Sequence, residues 1–132
     1  MGFDLRRGDE VFSVSTQTWA RAYALAIEGG WEPKGTLPPK NLSKRDRVAW
    51  QGWYDSNDGQ FITDDDASKM ASALEKMLAV LPPPIAANPA VHDASALAGG
   101  RVEPRTYFAV TSKRKILGLL IKFLRGGLCE IR

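Results

Sequence analysis

The stretch "SKRKILGLLIKFLRGG", residues 112–127, constrains the fold more than any other part of the chain. At 100° per residue, Ile116, Leu117, Leu119, Leu120, Ile121, Phe123 and Leu124 cover well over half the circumference of a helix. Arg114, Lys115, Gly118, Lys122 and Arg125 share the narrow opposite strip. A helix of this kind has to lie close to the centre of a core and show only a basic edge. Gly126-Gly127 ends it, with Leu128 placed to fold back on Phe123. The rest of the chain must wrap around it.

Two further helices can do the wrapping. In "FSVSTQTWARAYALAIEGGW", Ser15 is a helix cap, with Val14 and Trp19 at the positions of a hydrophobic staple. Trp19, Tyr23 and Ala26/Ile27 then share one face, and Gly29-Gly30 closes the helix with Trp31 folding back towards Leu25. The second begins at Thr63, with Asp66 at capping-box spacing, and carries the stripe Met70, Leu74, Met77/Leu78 and Leu81. "PPP" at 82–84 stops it, because proline cannot continue a helix. Between the two, "GWEPKGTLPPKN" holds too many prolines and glycines to be regular. "SKRDRVAWQGWY" opens with a Ser43/Asp46 capping pair and predicts a short helix ending before Gly52. The strand formers of "RTYFAV" predict a strand, and "GQFI" and "LCEIR" predict brief extended pieces.

At 132 residues the chain fits one domain, 1–132, large enough for an ordinary core. The expected fold is mainly α with minor β: three main helices, short β pieces and a long Pro/Ala-rich loop. That loop, residues 82–104, holds five prolines and six alanines; Asp93 could cap one short turn, "ASALA", within it. Too few residues follow for a second domain, so it is an excursion within the first. A single cysteine, Cys129, excludes an internal disulfide, and the opening "MGFDLRRGDE" lacks the apolar stretch of a signal peptide. No apolar run approaches the ~20 residues of a membrane span. The expectation is a soluble cytoplasmic protein without membrane contact.

"YDSNDGQFITDDDA", residues 54–67, concentrates five aspartates and reads at first like a calcium loop. Such a loop needs an oxygen ligand first and glycine sixth. Counting from Asp55 puts Gly59 fifth; counting so that Gly59 is sixth puts Tyr54 first. Neither register works. The turn reading uses every residue: "SNDG" is turn chemistry, Thr63 is a cap, and Asp64 to Asp66 are solvated acids in a helix's favourable first turn.

"GWEPKGT" (30–36), "YDSNDGQFITDDDASKMASALEKML" (54–78) and "FLRGGLCEI" (123–131) together resemble a family of small bacterial proteins of unknown function, marked by a GWxPxGT loop, a SNDGQ turn and an RxGG ending. The resemblance covers about half the chain and implies no activity or catalytic residue. Leu124-Arg125 departs from the Cys-Arg pair of that pattern, which argues against a role for such a cysteine.

Chemistry is sparse. His92 stands alone, Cys129 has no partnered histidine motif, and the Gly-Gly pairs are helix or turn ends rather than a phosphate loop. Nothing here assembles a catalytic site, a metal site or a cofactor site. The remaining signal is aromatic. Trp50, Trp53 and Tyr54, with Asp55, Asn57 and Asp58 beside them, form a candidate partner-binding surface, since interfaces favour Trp and Tyr. The reading that follows is a non-catalytic bacterial protein-binding module, of the kind used as an immunity protein or toxin inhibitor. The alternative is a nucleic-acid-binding protein. It would use Lys40, Lys44, Arg45 and Arg47 beside the tryptophans, together with the strip Arg114, Lys122 and Arg125.

Overall fold

The computed structural model describes residues 2–83 and 103–132, and the proposed turn at Asp93 and His92 lie outside them. The architecture is α+β rather than mainly α. The chain opens on strands β1 (Gly2–Arg7) and β2 (Glu10–Ser15), then α1 (Thr16–Glu28), α2 (Lys44–Val48), β3 (Gln60–Ile62) and α3 (Asp64–Leu78). After the excursion come α4 (Pro104–Ala109), α5 (Thr111–Leu124) and β4 (Cys129–Ile131). The strands form one antiparallel sheet in the order β2-β1-β4-β3.

The N-terminal hairpin was not expected. Its two-residue loop, Gly8-Asp9, has φ +59° at Gly8 alone, the pattern of a type II′ turn. Alternation then sorts the sheet's two faces. Phe3, Leu5, Val14, Gln60, Ile62, Cys129 and Ile131 are buried on one side, while Asp4, Arg6, Val11, Ser13 and Glu130 point the other way. The β1–β4 pairing is continued by Asp4 and Arg132, which exchange both backbone hydrogen bonds at 2.7 and 2.8 Å.

The helices pack on the buried face. In α5, Leu117, Leu120 and Leu124 are wholly buried. Leu119 is not: it is 57% exposed, and the buried arc is narrower than the apolar arc of the sequence. Leu128 is also half-exposed, and the Phe123 ring is met by the ring of Phe12 and by Arg7. The Arg7 guanidinium lies over the Phe123 ring at 4.3 Å and donates to the carbonyls of Phe123, Gly127 and Leu128 at the end of the helix.

At the end of α1 the expected motif forms in full: Trp31 N–H reaches Ala26 O and Gly30 N–H reaches Ile27 O, with Gly30 at φ +96°. Ala22, Leu25 and Ala26 are buried and Ile27 is exposed, so the buried stripe runs one position earlier than Ile27. Gly29 lies so close to α3 that a Cβ there would stand 2.6 Å from Ala73 O. Residues 105–110 are not a strand. Pro104 sits in the first turn of α4, Tyr107 and Phe108 are buried, and the Tyr107 hydroxyl meets Thr18 Oγ1 at 2.6 Å. No helix among the described residues is long and apolar enough to cross a membrane.

Candidate functional site

The three helix starts that the sequence marks are capped as expected: Ser15 accepts from Thr18 N–H, Ser43 from Asp46 N–H and Thr63 from Asp66 N–H. The last of these fixes a group the sequence reading misplaced. Asp64 and Asp65 are exposed, but Asp66 is only 1% exposed, because the first turn of α3 aims it inward beneath the loop at 31–36. Its Oδ1 accepts from the Trp31 indole N–H at 3.0 Å and from Lys34 N–H at 3.4 Å, and its Oδ2 accepts from the Tyr54 hydroxyl. That hydroxyl in turn accepts from Gly35 N–H at 2.9 Å.

Around this carboxylate the rings of Tyr23, Trp31 and Tyr54 form a triangle with centroids 5.4–5.5 Å apart. Burial, then the hydrogen bond to Asp66, raises the Tyr54 hydroxyl well above its ordinary pKa. Burial, then the nearby Asp55 and Asp66 carboxylates, raises Tyr23 too.

Two glycines let the loops cross. Gly35 and Gly52 have φ +96° and +78°, and a Cβ on Gly52 would stand 2.9 Å from Gly35 Cα. Thr36 locks the crossing, its hydroxyl donating to Trp53 O at 2.7 Å and its carbonyl accepting from the Trp50 indole at 3.0 Å. Gln60, wholly buried, holds the following turn: its amide donates to Trp53 O and Ser56 O, and its Oε1 accepts from Asp58 N–H.

The crossing loops and the start of α1 enclose a cleft of about 610 Å³. Trp19, Tyr23, Trp53 and Tyr54 are its aromatic lining, and Lys34 and Asp55 contribute charge. Trp19 is held there by its indole N–H, 2.7 Å from Tyr54 O. Of the residues proposed to bind a partner, Trp53, Tyr54 and Asp55 line this cleft. Trp53 is 47% exposed, whereas Tyr54 is buried. Trp50 is half-buried behind Trp53, edge-on at 4.9 Å. Asn57 and Asp58 are exposed on the turn beyond and do not line the cleft. The sequence reading missed Tyr23 and Lys34 as lining residues and Asp66 as their support. A carboxylate at the third position of a helix gives no sign of which way it faces until the neighbouring loop is in place.

The basic candidates are partly occupied. Arg47 donates to the carbonyls of Lys40 and Leu42, Arg114 to Pro82 O, and Arg125 pairs with Glu75. The Lys40 ammonium lies 5.4 Å over the Phe61 ring. Lys44, Arg45 and Lys122 are exposed. Cys129 is buried, and burial pushes its thiol up to about 11. Among the described residues no group of three or more His, Cys, Asp or Glu could hold a metal ion. Comparison with protein-family models, with curated proteins and with solved structures gave no match.

Proposed function

We propose that the chain is a non-catalytic protein-binding module whose recognition surface is the cleft between α1 and the loops at 33–35 and 51–55. The observation that carries the reading is the division of labour within that cleft. The polar groups beneath it (Asp66, the Tyr54 hydroxyl and the Trp31 indole) are hydrogen-bonded to one another. What lines the cleft is largely aromatic, with Trp53 half-exposed and Lys34 and Asp55 as its charged members. Preorganised aromatic side chains in a concave site are typical of interface anchors, which owe little to ordering on binding. Immunity proteins and toxin inhibitors are modules of this kind, and a toxin is the type of partner we favour.

The nucleic-acid alternative has less support. Its basic residues include Arg47, Arg114 and Arg125, which already hold carbonyls or a carboxylate of the same chain. Of its tryptophans, Trp53 belongs to the cleft and Trp50 is half-buried against it. Binding to random DNA and RNA at low salt separates the two readings, because phosphate contacts weaken steeply as salt rises.

The direct test is affinity purification from the native host with the wild-type chain and with Trp53→Ala. The expected result is one stoichiometric protein partner, lost on Trp53→Ala with little change in melting temperature. Recovery of no such partner by the wild type, or its undiminished recovery by Trp53→Ala, would overturn the assignment.

A further inference from the structure

Several acidic side chains among the described residues have a basic neighbour: Asp4 with Arg6, Glu10 with Arg7, Glu28 with Arg105, Asp65 with Lys69 and Glu75 with Arg125. Asp55 is one of those that do not, and it is the one that lines the aromatic cleft. Among the described residues no ion pair or hydrogen bond engages its exposed carboxylate. It is near enough to Tyr23 to act on that hydroxyl electrostatically. Lys34, the cation of the cleft, has its ammonium 3.9 Å from Glu32, and no ion pair joins it to Asp55.

We infer that the cleft receives an arginine side chain of the protein partner, its guanidinium stacked on Tyr23 and Trp53 and paired with Asp55. The inference rests on the protein-binding reading above and adds the chemistry of the anchor. Three features favour arginine. A cation is attracted to an aromatic face within about 6 Å of the ring centroid. The guanidinium is planar, is weakly hydrated and presents a fork that matches a carboxylate, so it stacks and pairs at once where an ammonium pairs as a point charge. Its three-carbon stem covers apolar wall, which Trp19 and Phe3 supply at the base of the cleft. Asp55 would also repel an acidic anchor.

The probe is N-acetyl-arginine-N′-methylamide, compared with its uncharged citrulline counterpart of nearly the same shape, each titrated at low salt against the whole chain and followed by amide and indole NMR signals. The arginine compound should shift Trp53, Asp55 and Tyr23 saturably. The citrulline compound should bind about tenfold more weakly, as loss of one cation–aromatic contact and one ion pair implies. Asp55→Asn, at an exposed position, should reduce that preference to the part owed to the aromatic rings and leave the remaining spectrum unchanged. Equal binding of the two compounds, shifts confined to other surfaces, a preference undiminished by Asp55→Asn, or no saturable shift at ~50 mM probe would each overturn the inference.

The two proposals fail differently. A host partner lost on Trp53→Ala but retained on Asp55→Asn removes the arginine and leaves the binding module. An arginine preference with no stoichiometric partner removes the module and leaves a cleft that selects guanidinium.

Discussion

Replacing Asp66 by alanine would leave three donors without their acceptor: the Trp31 indole, the Tyr54 hydroxyl and Lys34 N–H. Stranded buried donors cost about 1–3 kcal/mol each, so a loss of about 3–5 kcal/mol is expected, read from urea denaturation. Asp66→Asn keeps one acceptor oxygen and should cost less, while Asp65→Ala, at an exposed position, should cost almost nothing. Similar midpoints for Asp66→Ala and Asp65→Ala would show that the carboxylate does not organise the loops. A second consequence at this scale concerns alkaline pH. Burial holds the proton on Cys129 up to about 11, against 9.0 ordinarily, and burial with the Asp66 hydrogen bond holds it on Tyr54. An unfolded chain releases both protons earlier, so the stability they contribute is full below about pH 9 and declines as pH rises towards 11. Denaturation midpoints should fall between about pH 8.5 and about pH 10.5, and Cys129→Ala should flatten the early part of that fall. A profile unchanged by Cys129→Ala would mean that the thiol does not contribute. At the residue scale the sequence disclosed caps well and direction poorly. Ser15, Ser43 and Thr63 cap their helices as read, because a cap is a local arrangement. Asp66 was read as solvated, because its inward aim depends on a loop thirty-odd positions away.

Among the elements, the helices α1, α3 and α5 were legible from period and punctuation, and the strands β3 and β4 from short extended signals. The hairpin β1–β2 was missed although Phe3/Leu5 alternate with Asp4/Arg6 and a Gly-Asp pair sits between the strands. Five charged residues among the first ten positions of the chain obscured the alternation. Segment 105–110 shows the opposite failure, with strand-forming residues held as a helix because Tyr107 and Phe108 find burial there. Arg7 links the hairpin to the far end of α5. Arg7→Ala should therefore cost about 1–3 kcal/mol, since three carbonyls lose a charged donor, whereas Arg6→Ala on the open face should be close to neutral. A thermal melt of the two variants checks this, and equal stabilities would refute the cap. Within α5 itself, Leu120→Asp buries an unpaired charge and should prevent folding, while Lys122→Glu should leave the far-ultraviolet spectrum and melting temperature nearly intact. If both variants melt alike, the buried face of α5 lies elsewhere.

For the molecule as a whole, one sheet with helices on its buried face explains why mainly α was the wrong expectation. The strands are short and widely separated along the chain, so no local window contains the sheet. The cleft was legible only as a run of aromatic residues, since Tyr23 reaches it from α1 and Lys34 from another loop. The sheet's middle pairing carries a further consequence for how the protein is made. Leu5 and Arg6 take as partners Ile131 and Glu130. On a ribosome, synthesis proceeds from the N-terminus at roughly 5–20 residues per second. The hairpin therefore emerges many seconds before the strand that completes its inner edge exists, and β3 emerges with the same missing neighbour. Until Cys129–Ile131 has been made, β1 and β3 lack the neighbour they share, so the sheet cannot close in its final order before that segment enters between them.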